Sequence, residues 1–183
     1  MSPPSTVLDR EQRFAALYDR AYADVLRFVR RRATVDTAED ITHEAFLVAW
    51  RRFDDVPATT DGARAWLFGV ARNCLLSDHR ASERYKQLGV RIADSVTPQH
   101  DQGTDAASSR LDLITAWQGL STSQQEVLSL AIWEELSAAA AGKVLDISAA
   151  AYRIRLHRAR NALRAALDTS FTPAPANTSE MTA

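Results

Sequence analysis

Five arginines near the end of the chain offer the clearest chemistry in the sequence, because no acidic residue lies among them. They are Arg153, Arg155, Arg158, Arg160 and Arg164. Guanidinium groups neutralise nucleic-acid phosphates and, where they reach the major groove, hydrogen-bond the edge of guanine. The run therefore predicts contact with DNA.

These arginines lie on the second of two short predicted helices. A helix over residues 137–144 leads into a tight turn at Leu145, Asp146 and Ile147, and the next helix covers about residues 148–167. Two helices joined by a short turn can place the second helix in the major groove. The alternative is a plain helical hairpin whose arginines are solvated.

A second predicted helix, over about residues 63–82, combines aromatic rings, arginines and an amide. The residues concerned, in chain order, are Arg64, Trp66, Phe68, Arg72, Asn73, Asp78, His79 and Arg80. Single-stranded bases stack on aromatic side chains beside a basic track, and an Asn side chain can hydrogen-bond an extruded base. The competing interpretation is that the rings pack in the core while the arginines form a solvated face.

A third group lies on the predicted helix that ends near Phe53. Its members share one face at helical spacing and are Asp40, Glu44, Leu47 and Arg51. Phe46 and Trp50 form an aromatic pair at the same spacing. A mixed acidic and aromatic face can dock a partner helix, since aromatic side chains supply much of the energy of protein interfaces. The alternative is a solvated charged stripe beside an ordinary core stripe.

Composition limits the functions open to this chain of 183 residues. Its formal net charge is −1, so nucleic-acid binding must depend on one basic surface rather than on the whole molecule. Cys74 is the only cysteine, and its apolar neighbours predict a buried, inert thiol. The start of the sequence lacks the features of a signal peptide, and no apolar run is long enough to span a membrane. We therefore expect a cytoplasmic protein without membrane insertion.

Catalytic and metal-binding patterns are weak. The four histidines lie in separate predicted elements. Cys74 and His79 are five residues apart with no further ligand nearby, which is not the spacing of a zinc site. The sequence contains neither a phosphate-binding glycine loop nor a nucleophile elbow. We expect no enzyme activity, no metal site and no cofactor.

The whole pattern predicts an all-α chain of two small helical domains joined by a flexible linker. Apolar residues recur at helical spacing from Asp9 to about Arg32 and in each later block, and no segment shows strand alternation. Ser123 and Glu126 match a capping box, with Ser121 as the alternative cap. The expected boundaries are a disordered tail over 1–8, a first domain over 9–86, the linker over 87–110, a second domain over 111–168 and a disordered tail over 169–183.

Three of these segments, in this order, resemble a bacterial RNA polymerase sigma factor of the extracytoplasmic-function group (group 4 of the sigma-70 family). Residues 38–51, AEDITHEAFLVAWR, resemble the polymerase-binding helix of that family. Residues 64–73, RAWLFGVARN, resemble its promoter-melting segment, and residues 155–160, RLHRAR, resemble the end of its recognition helix. The resemblance covers about residues 12–84 and 111–167.

The resemblance implies a dissociable subunit that binds core RNA polymerase and starts transcription. The first domain (region 2) would bind the clamp helices of the β′ subunit. It would do so through Asp40, Glu44, Leu47 and Arg51. The same domain would recognise and melt the −10 promoter element, with the loop 54–62 receiving a flipped base. The −10 residues would be Arg64, Trp66, Arg72, Asn73, His79 and Arg80.

The resemblance also implies that the second domain (region 4) contacts the β-subunit flap and reads the −35 element with its helix-turn-helix. The −35 residues would be Ala149, Ala150, Tyr152, Arg153, Arg155, His157, Arg158 and Arg160. An anti-sigma factor is a further expected partner.

The recognition helix departs from the family pattern. Ala150, Ala151 and Tyr152 stand where Gly, Thr and an aliphatic residue are usual, Gly142 replaces a frequent Ala, and Asp146 a frequent Gly. A −35 reader of low specificity, kept partly for protein contacts, is one interpretation. Two alternatives to a sigma factor are a stand-alone helix-turn-helix regulator and a module that sequesters an anti-sigma factor.

Overall fold

The computed structural model describes residues 5–81 and 104–170, and all regular structure within these ranges is helical. The first helical block contains α1 (Ser5–Arg30), α2 (Val35–Arg51), a 3-10 turn (Phe53–Asp55) and α3 (Thr60–Ala81). The second helical block contains α4 (Thr104–Gln118), α5 (Thr122–Ile132), α6 (Ala138–Val144) and α7 (Ala149–Ser170). The predicted all-α fold class is confirmed.

Two helices begin earlier than the sequence pattern predicted. Helix α1 begins at Ser5 instead of Asp9, and α4 begins at Thr104 instead of Leu111. Helix α1 thus includes residues 5–8 of the predicted N-terminal tail. Part of the predicted linker is therefore helical, while residues 82–103 lie outside the described residues.

The capping box of α5 differs from the predicted pair. The Ser121 hydroxyl accepts a hydrogen bond from the Gln124 N–H at 3.3 Å, and the Gln124 side-chain oxygen accepts one from the Ser121 N–H at 2.8 Å. Glu126, which we had expected to complete the box with Ser123, instead pairs with Arg72 of α3. The helix thus starts at the earlier of its two candidate caps.

An aromatic seam joins α1 to α2. Phe14 of α1 lies 5.0 Å from the Trp50 ring in an edge-on arrangement, and the Tyr18 ring lies 4.7 Å from Phe46. Phe46 is buried and Trp50 half-buried. The prediction that these two rings belong to an exposed docking face is therefore wrong, because α1 covers them.

The core continues from the first helical block into the second. Phe28 of α1 stacks on Phe68 of α3 at 4.9 Å, and both are fully buried, an environment worth about 1.5–3 kcal/mol for each large apolar side chain. The same cluster includes Leu130 of α5 and Val144 of α6, which packs on α3. The two blocks therefore share one apolar core among the described residues.

A separate apolar cluster holds α4 against α5 and α7. Trp117 and Trp133 meet edge-on at 5.1 Å, beside Leu128 and Ala159. This packing fixes α7 from one side and leaves its opposite side facing solvent. None of the helices described combines the length and the apolarity needed to cross a bilayer.

Candidate nucleic-acid interface

The outer face of α7 carries the predicted basic residues. The exposed members of the predicted set are Ala150, Arg153, Arg155, His157, Arg158 and Arg160, and Ala149 is half-buried. Ser148 caps the helix by accepting a hydrogen bond from the Ala151 N–H at 3.1 Å. Within the described ranges, none of the exposed α7 arginines forms an ion pair with an acid, so their charge is available to an anionic partner.

Tyr152 is not part of this face, and its predicted −35 contact is wrong in this structure. Its side chain is 1% exposed, and its hydroxyl donates a hydrogen bond to the Val127 carbonyl at 2.9 Å. Burial raises the pKa of Tyr152 to about 12. The spacing of Tyr152, Leu156, Ala159 and Leu163 could have shown this, because it marks the face of α7 that enters the core.

Ile154 is a surface residue that the sequence reasoning missed. It is 55% exposed and lies between Arg153 and Arg155, on a turn that also exposes Ala150 and Arg158. An isoleucine left in solvent on a basic helix has no folding role there. It adds an apolar contact to a face that is otherwise charged.

The turn before α7 has the geometry that a helix-turn-helix needs. Asp146 adopts a left-handed backbone, with φ of 55°, and Asp tolerates this region better than most residues. The Ile147 N–H donates to the Gly142 carbonyl at 2.9 Å. A Cβ at Gly142 would lie 2.7 Å from the Ile147 carbonyl oxygen, so glycine is required where the sequence departs from the family pattern.

The predicted −10 residues on α3 divide between two sides of the helix. Trp66 and Asn73 are seven residues apart and share one side, where Asn73 is exposed and Trp66 half-buried. Arg64 and Arg72 lie on another side, which faces the second block. The resemblance assigned all four residues to the −10 element, and the structure divides them between these two sides.

Arg64 is held by partners from both blocks. Its Nε donates to Asp24 at 3.0 Å, and its Nη1 donates to the Glu134 carbonyl oxygen at 2.9 Å. The guanidinium also lies over the Phe68 ring, 5.2 Å from its centre. Arg72 forms two hydrogen bonds with Glu126, at 2.7 and 3.3 Å. Both arginines are thus occupied in this conformation.

The remaining −10 residues lie toward the end of α3. His79 is half-buried, and the Arg80 side chain lies outside the described residues. The predicted loop 54–62 ends inside the first turn of α3, which is closely packed at Gly62: a Cβ there would lie 2.6 Å from the Thr59 hydroxyl oxygen and 2.9 Å from Pro57. The nearby guanidinium of Arg52 lies 5.7 Å from the centre of the Trp66 ring.

Cys74 lies on the buried side of α3, as its apolar neighbours predicted. Burial raises the pKa of its thiol to about 11, with a smaller contribution from the negative charge of Glu44. The thiolate is therefore scarce at neutral pH, which makes the side chain unreactive.

The four residues predicted to bind polymerase form one exposed face of α2. Asp40, Glu44, Leu47 and Arg51 all point to solvent, and Leu47 is 57% exposed. In the part of the chain that the structure describes, neither Asp40 nor Glu44 forms an ion pair. The face therefore presents two carboxylates, one guanidinium and one apolar side chain to solvent.

Comparisons with known proteins match both helical blocks. The family described as "Sigma-70 region 2" matches residues 17–85, and "Sigma-70, region 4" matches residues 110–163. The chain is 34% identical over 155 residues to the ECF RNA polymerase sigma factor SigL of Mycobacterium tuberculosis, covering 83% of this chain and 87% of that protein. It is 31% identical to the ECF RNA polymerase sigma factor BldN of Streptomyces coelicolor, covering 80% of this chain and 57% of that protein.

Two solved structures share the fold. The sigma factor RpoE of Bartonella quintana, in complex with the anti-sigma factor NepR, has a TM-score of 0.61 at 24% identity, covering 86% of this chain and 98% of its own. CnrH, in complex with the cytosolic domain of CnrY, has a TM-score of 0.59 at 25% identity, covering 87% of this chain and 90% of its own.

Proposed function

Because the chain belongs to the sigma-70 family, as a sigma factor of the extracytoplasmic-function group that directs transcription initiation, we propose how its surfaces divide that task. Helix α2 binds core polymerase, α3 opens the −10 element, and α7 reads the −35 element. The match of the first block to region 2, separate from the helix-turn-helix, argues against a stand-alone regulator. Run-off transcription with reconstituted holoenzyme distinguishes a sigma factor from a module that only sequesters an anti-sigma factor.

The observation that carries the proposal is the exposed face of α2. Asp40 and Glu44 present two carboxylates beside Leu47, while Phe46 packs in the core and Trp50 lies against Phe14 of α1. The helix is held by its packing against α1, while its exposed carboxylates form no ion pair among the described residues. Such a face suits a basic partner surface with an apolar pocket. The clamp helices of β′ are the proposed partner, and the β flap is the proposed partner of the second block.

On α3, the exposed amide of Asn73 and the ring of Trp66 are the groups we assign to the melted −10 strand. An amide can pair with the edge of an extruded base, and the ring offers a stacking surface. Arg64 and Arg72 supply positive charge for the backbone of that strand once they leave their present partners. His79 and Arg80 extend the same track.

On α7, we assign phosphate contacts and base reading to different positions. Arg153, Arg155, Arg158 and Arg160 supply charge, with His157 among them. Ile154 adds an apolar group suited to the methyl of thymine, a contact that reads sequence in the major groove. Ala149 and Ala150 let the helix approach closely. Specificity at −35 then depends on fewer hydrogen bonds than the number of arginines suggests.

An anti-sigma factor is the further partner we propose, supported by the structure in which the similar sigma factor RpoE is bound to the anti-sigma factor NepR. We also propose a cytoplasmic location, where core polymerase and promoter DNA are found. The proposal assigns no catalytic step to this chain.

Charge reversal on α2 tests the polymerase face. Asp40→Arg with Glu44→Arg places like charge against a basic partner, so we expect affinity for core polymerase to fall about tenfold or more. A matched control, Glu11→Arg with Asp19→Arg, changes the same charge on exposed positions of α1 and should bind normally.

Titration of fluorescent variants with core polymerase measures the affinity, run-off transcription measures the function, and circular dichroism checks the fold. Equal affinity of the two double variants for core polymerase would contradict the assignment of α2 as the docking face. Specific binding of promoter duplex by the free protein, with Kd on the order of 10 nM, would favour the stand-alone regulator instead.

A further inference from the structure

A buried ion cluster joins the two helical blocks around Glu134, just after α5. Its carboxylate oxygen Oε1 lies 3.0 Å from Nη1 of Arg31 and 3.6 Å from Nη1 of Arg32. The side chains of Glu134 and Arg32 are only 3% and 2% exposed. Arg32 also donates to the Ser129 hydroxyl at 2.6 Å. Arg31 and Arg32, which directly follow α1, are thus held by the second block.

The backbone around Glu134 is shaped by its neighbour. Glu135 adopts a left-handed conformation, with φ of 51°, and the Leu136 N–H donates to the Leu130 carbonyl at 3.0 Å. This turn ends α5 and leaves the Glu134 carbonyl oxygen facing Arg64. Backbone and side chain of one residue therefore bind three arginines of the first block.

A second acidic residue holds the other −10 arginine. Glu126 of α5 accepts two hydrogen bonds from Arg72, which is the paired geometry that a guanidinium also forms with a phosphate. Both side chains are only about a quarter exposed, 24% for Arg72 and 22% for Glu126. Strand binding by Arg72 and pairing with Glu126 therefore use the same donors.

Close helix packing accompanies these contacts. A Cβ built on Gly69 of α3 would lie 3.9 Å from the Cα of Val144, so α6 lies directly on the segment assigned to promoter melting. Gly69 also lies one turn from Asn73. The second block thus covers part of the surface that a melted strand would approach.

We propose that Glu126, through its carboxylate on Arg72, and Glu134, through its backbone carbonyl oxygen on Arg64, are intramolecular competitors of DNA phosphate. They hold the free chain closed over its own −10 arginines. Strand binding and the closed conformation are then mutually exclusive. Core polymerase, by binding the two blocks at separate sites, would release the arginines. This inference rests on the proposed role of α3 in −10 binding, and it adds a cause for low DNA affinity of the free protein.

Desolvation limits how strongly these ion pairs hold the closed state. Burial raises the pKa of Glu134, against the opposing effects of Arg32, Arg31 and Arg64, and burial lowers the pKa of Arg32 to about 10. Both directions show that closure removes charges from water at a cost that their attraction must offset. Separation returns water to every member of the cluster, so no charge is left buried and unpaired.

Neutralising the two carboxylates should expose the −10 arginines. Arg72 loses its charged acceptor, and loss of the ion pairs from Glu134 to Arg31 and Arg32 loosens the contact between blocks that also holds Arg64. We expect full-length Glu126→Gln/Glu134→Gln to bind a fluorescent single-stranded oligonucleotide of roughly 12 nucleotides about fivefold or more tightly than the unsubstituted chain. The control Glu11→Gln/Glu135→Gln removes the same charge from exposed positions and should change affinity far less. Equal gains in the two double variants would attribute the effect to net charge and overturn the proposal.

A reversible cross-link tests the closed conformation itself. In a Cys74→Ala background, Gly69→Cys and Val144→Cys place two thiols within the range that a disulfide spans. We expect the oxidised protein to lose strand binding and run-off transcription with core polymerase, and reduction to restore both. The variant with Val144→Cys alone controls for the oxidant.

Each outcome of the cross-link experiment decides between the proposals. An oxidised protein that initiates as well as its reduced form would overturn mutual exclusion. A folded protein that forms no disulfide would show that α3 and α6 are not adjacent in solution. If the reduced and unsubstituted proteins also fail to initiate with core polymerase, the proposed function fails and not the closed state alone.

Discussion

Tyr152 shows how one residue can change the interpretation of a recognition helix. The resemblance placed it on the DNA, but its hydroxyl instead ties α7 to the Val127 carbonyl of α5. The arginines on either side of the buried stripe remain exposed. At this scale, packing decides which residues of a helix can act and which hold it in place.

Replacing Tyr152 by Phe should destabilise the protein by about 0.5–1.5 kcal/mol at pH 8, because the buried hydrogen bond from the Tyr152 hydroxyl to the Val127 carbonyl is lost. The difference should shrink at alkaline pH. The folded-state pKa of Tyr152 is raised from 10.0 to about 12, so its contribution is complete below pH 10 and is lost as the pH rises through 12. Urea unfolding at pH 8 and pH 11 measures both effects.

The matched control is Tyr22→Phe. The Tyr22 hydroxyl lies 3.4 Å from His43 in an exposed position, so its loss should cost much less. A stability gap between unsubstituted protein and Tyr152→Phe that stays constant from pH 8 to pH 11 would contradict the assignment of the alkaline loss to Tyr152.

At the scale of helices, two glycines that look alike in sequence have opposite roles. Both lie inside helices, where alanine is intrinsically better by about 1 kcal/mol. At Gly142 the atom opposite a new Cβ is the Ile147 carbonyl oxygen at 2.7 Å, whereas at Gly69 it is the Val144 Cα at 3.9 Å. Sequence alone cannot separate these cases, because the opposing atoms depend on how the turn and α6 fold.

We expect Gly142→Ala to destabilise the second block by about 1 kcal/mol or more, since overpacking against backbone costs about 1–3 kcal/mol and exceeds the gain in helix propensity. Gly69→Ala should instead stabilise the protein by about 1 kcal/mol, because the added methyl finds room. Thermal and urea unfolding of both variants measure the difference. A stabilising Gly142→Ala would mean that the turn at Asp146 can relax.

The helices themselves were largely predictable, because apolar residues repeat at helical spacing in each of them. The ends were less so, since Ser121 and Ser123 are both good caps and only the path of the chain selects Ser121. The exposed acidic face of α2 followed from spacing. The aromatic part of that face was wrong because the sequence does not show that α1 packs against it.

The contacts between blocks could not be predicted from sequence. Arg31 and Glu134 are separated by 103 positions, and each resembles an ordinary solvated charge when the chain is inspected locally. Arg72 and Glu126 are separated by 54 positions. Long-range ion pairs leave no periodic pattern, unlike a core stripe, so only the three-dimensional structure reveals them.

For the whole molecule, the two DNA-binding surfaces should act at different stages of initiation. Asn73 lies on the exposed surface of α3 and has no part in the Glu126 or Glu134 contacts. Its replacement should therefore affect strand separation in the promoter and not the separation of the two helical blocks. Arg158 lies on the exposed face of α7, which we propose meets duplex DNA before any strand separates. These two positions therefore separate melting from anchoring.

We expect holoenzyme with Asn73→Ala to form closed complexes normally and open complexes slowly, because the amide acts only on a base that has left the stack. Arg158→Ala should weaken closed complexes by about 1–3 kcal/mol, the usual effect of losing one charged contact to DNA. A pre-melted bubble should remove most of the Asn73→Ala defect and little of the Arg158→Ala defect. Gel-shift titrations on duplex and bubble templates, with permanganate reactivity of promoter thymines, make the comparison. If both variants respond to the bubble alike, the division of labour between α3 and α7 is wrong.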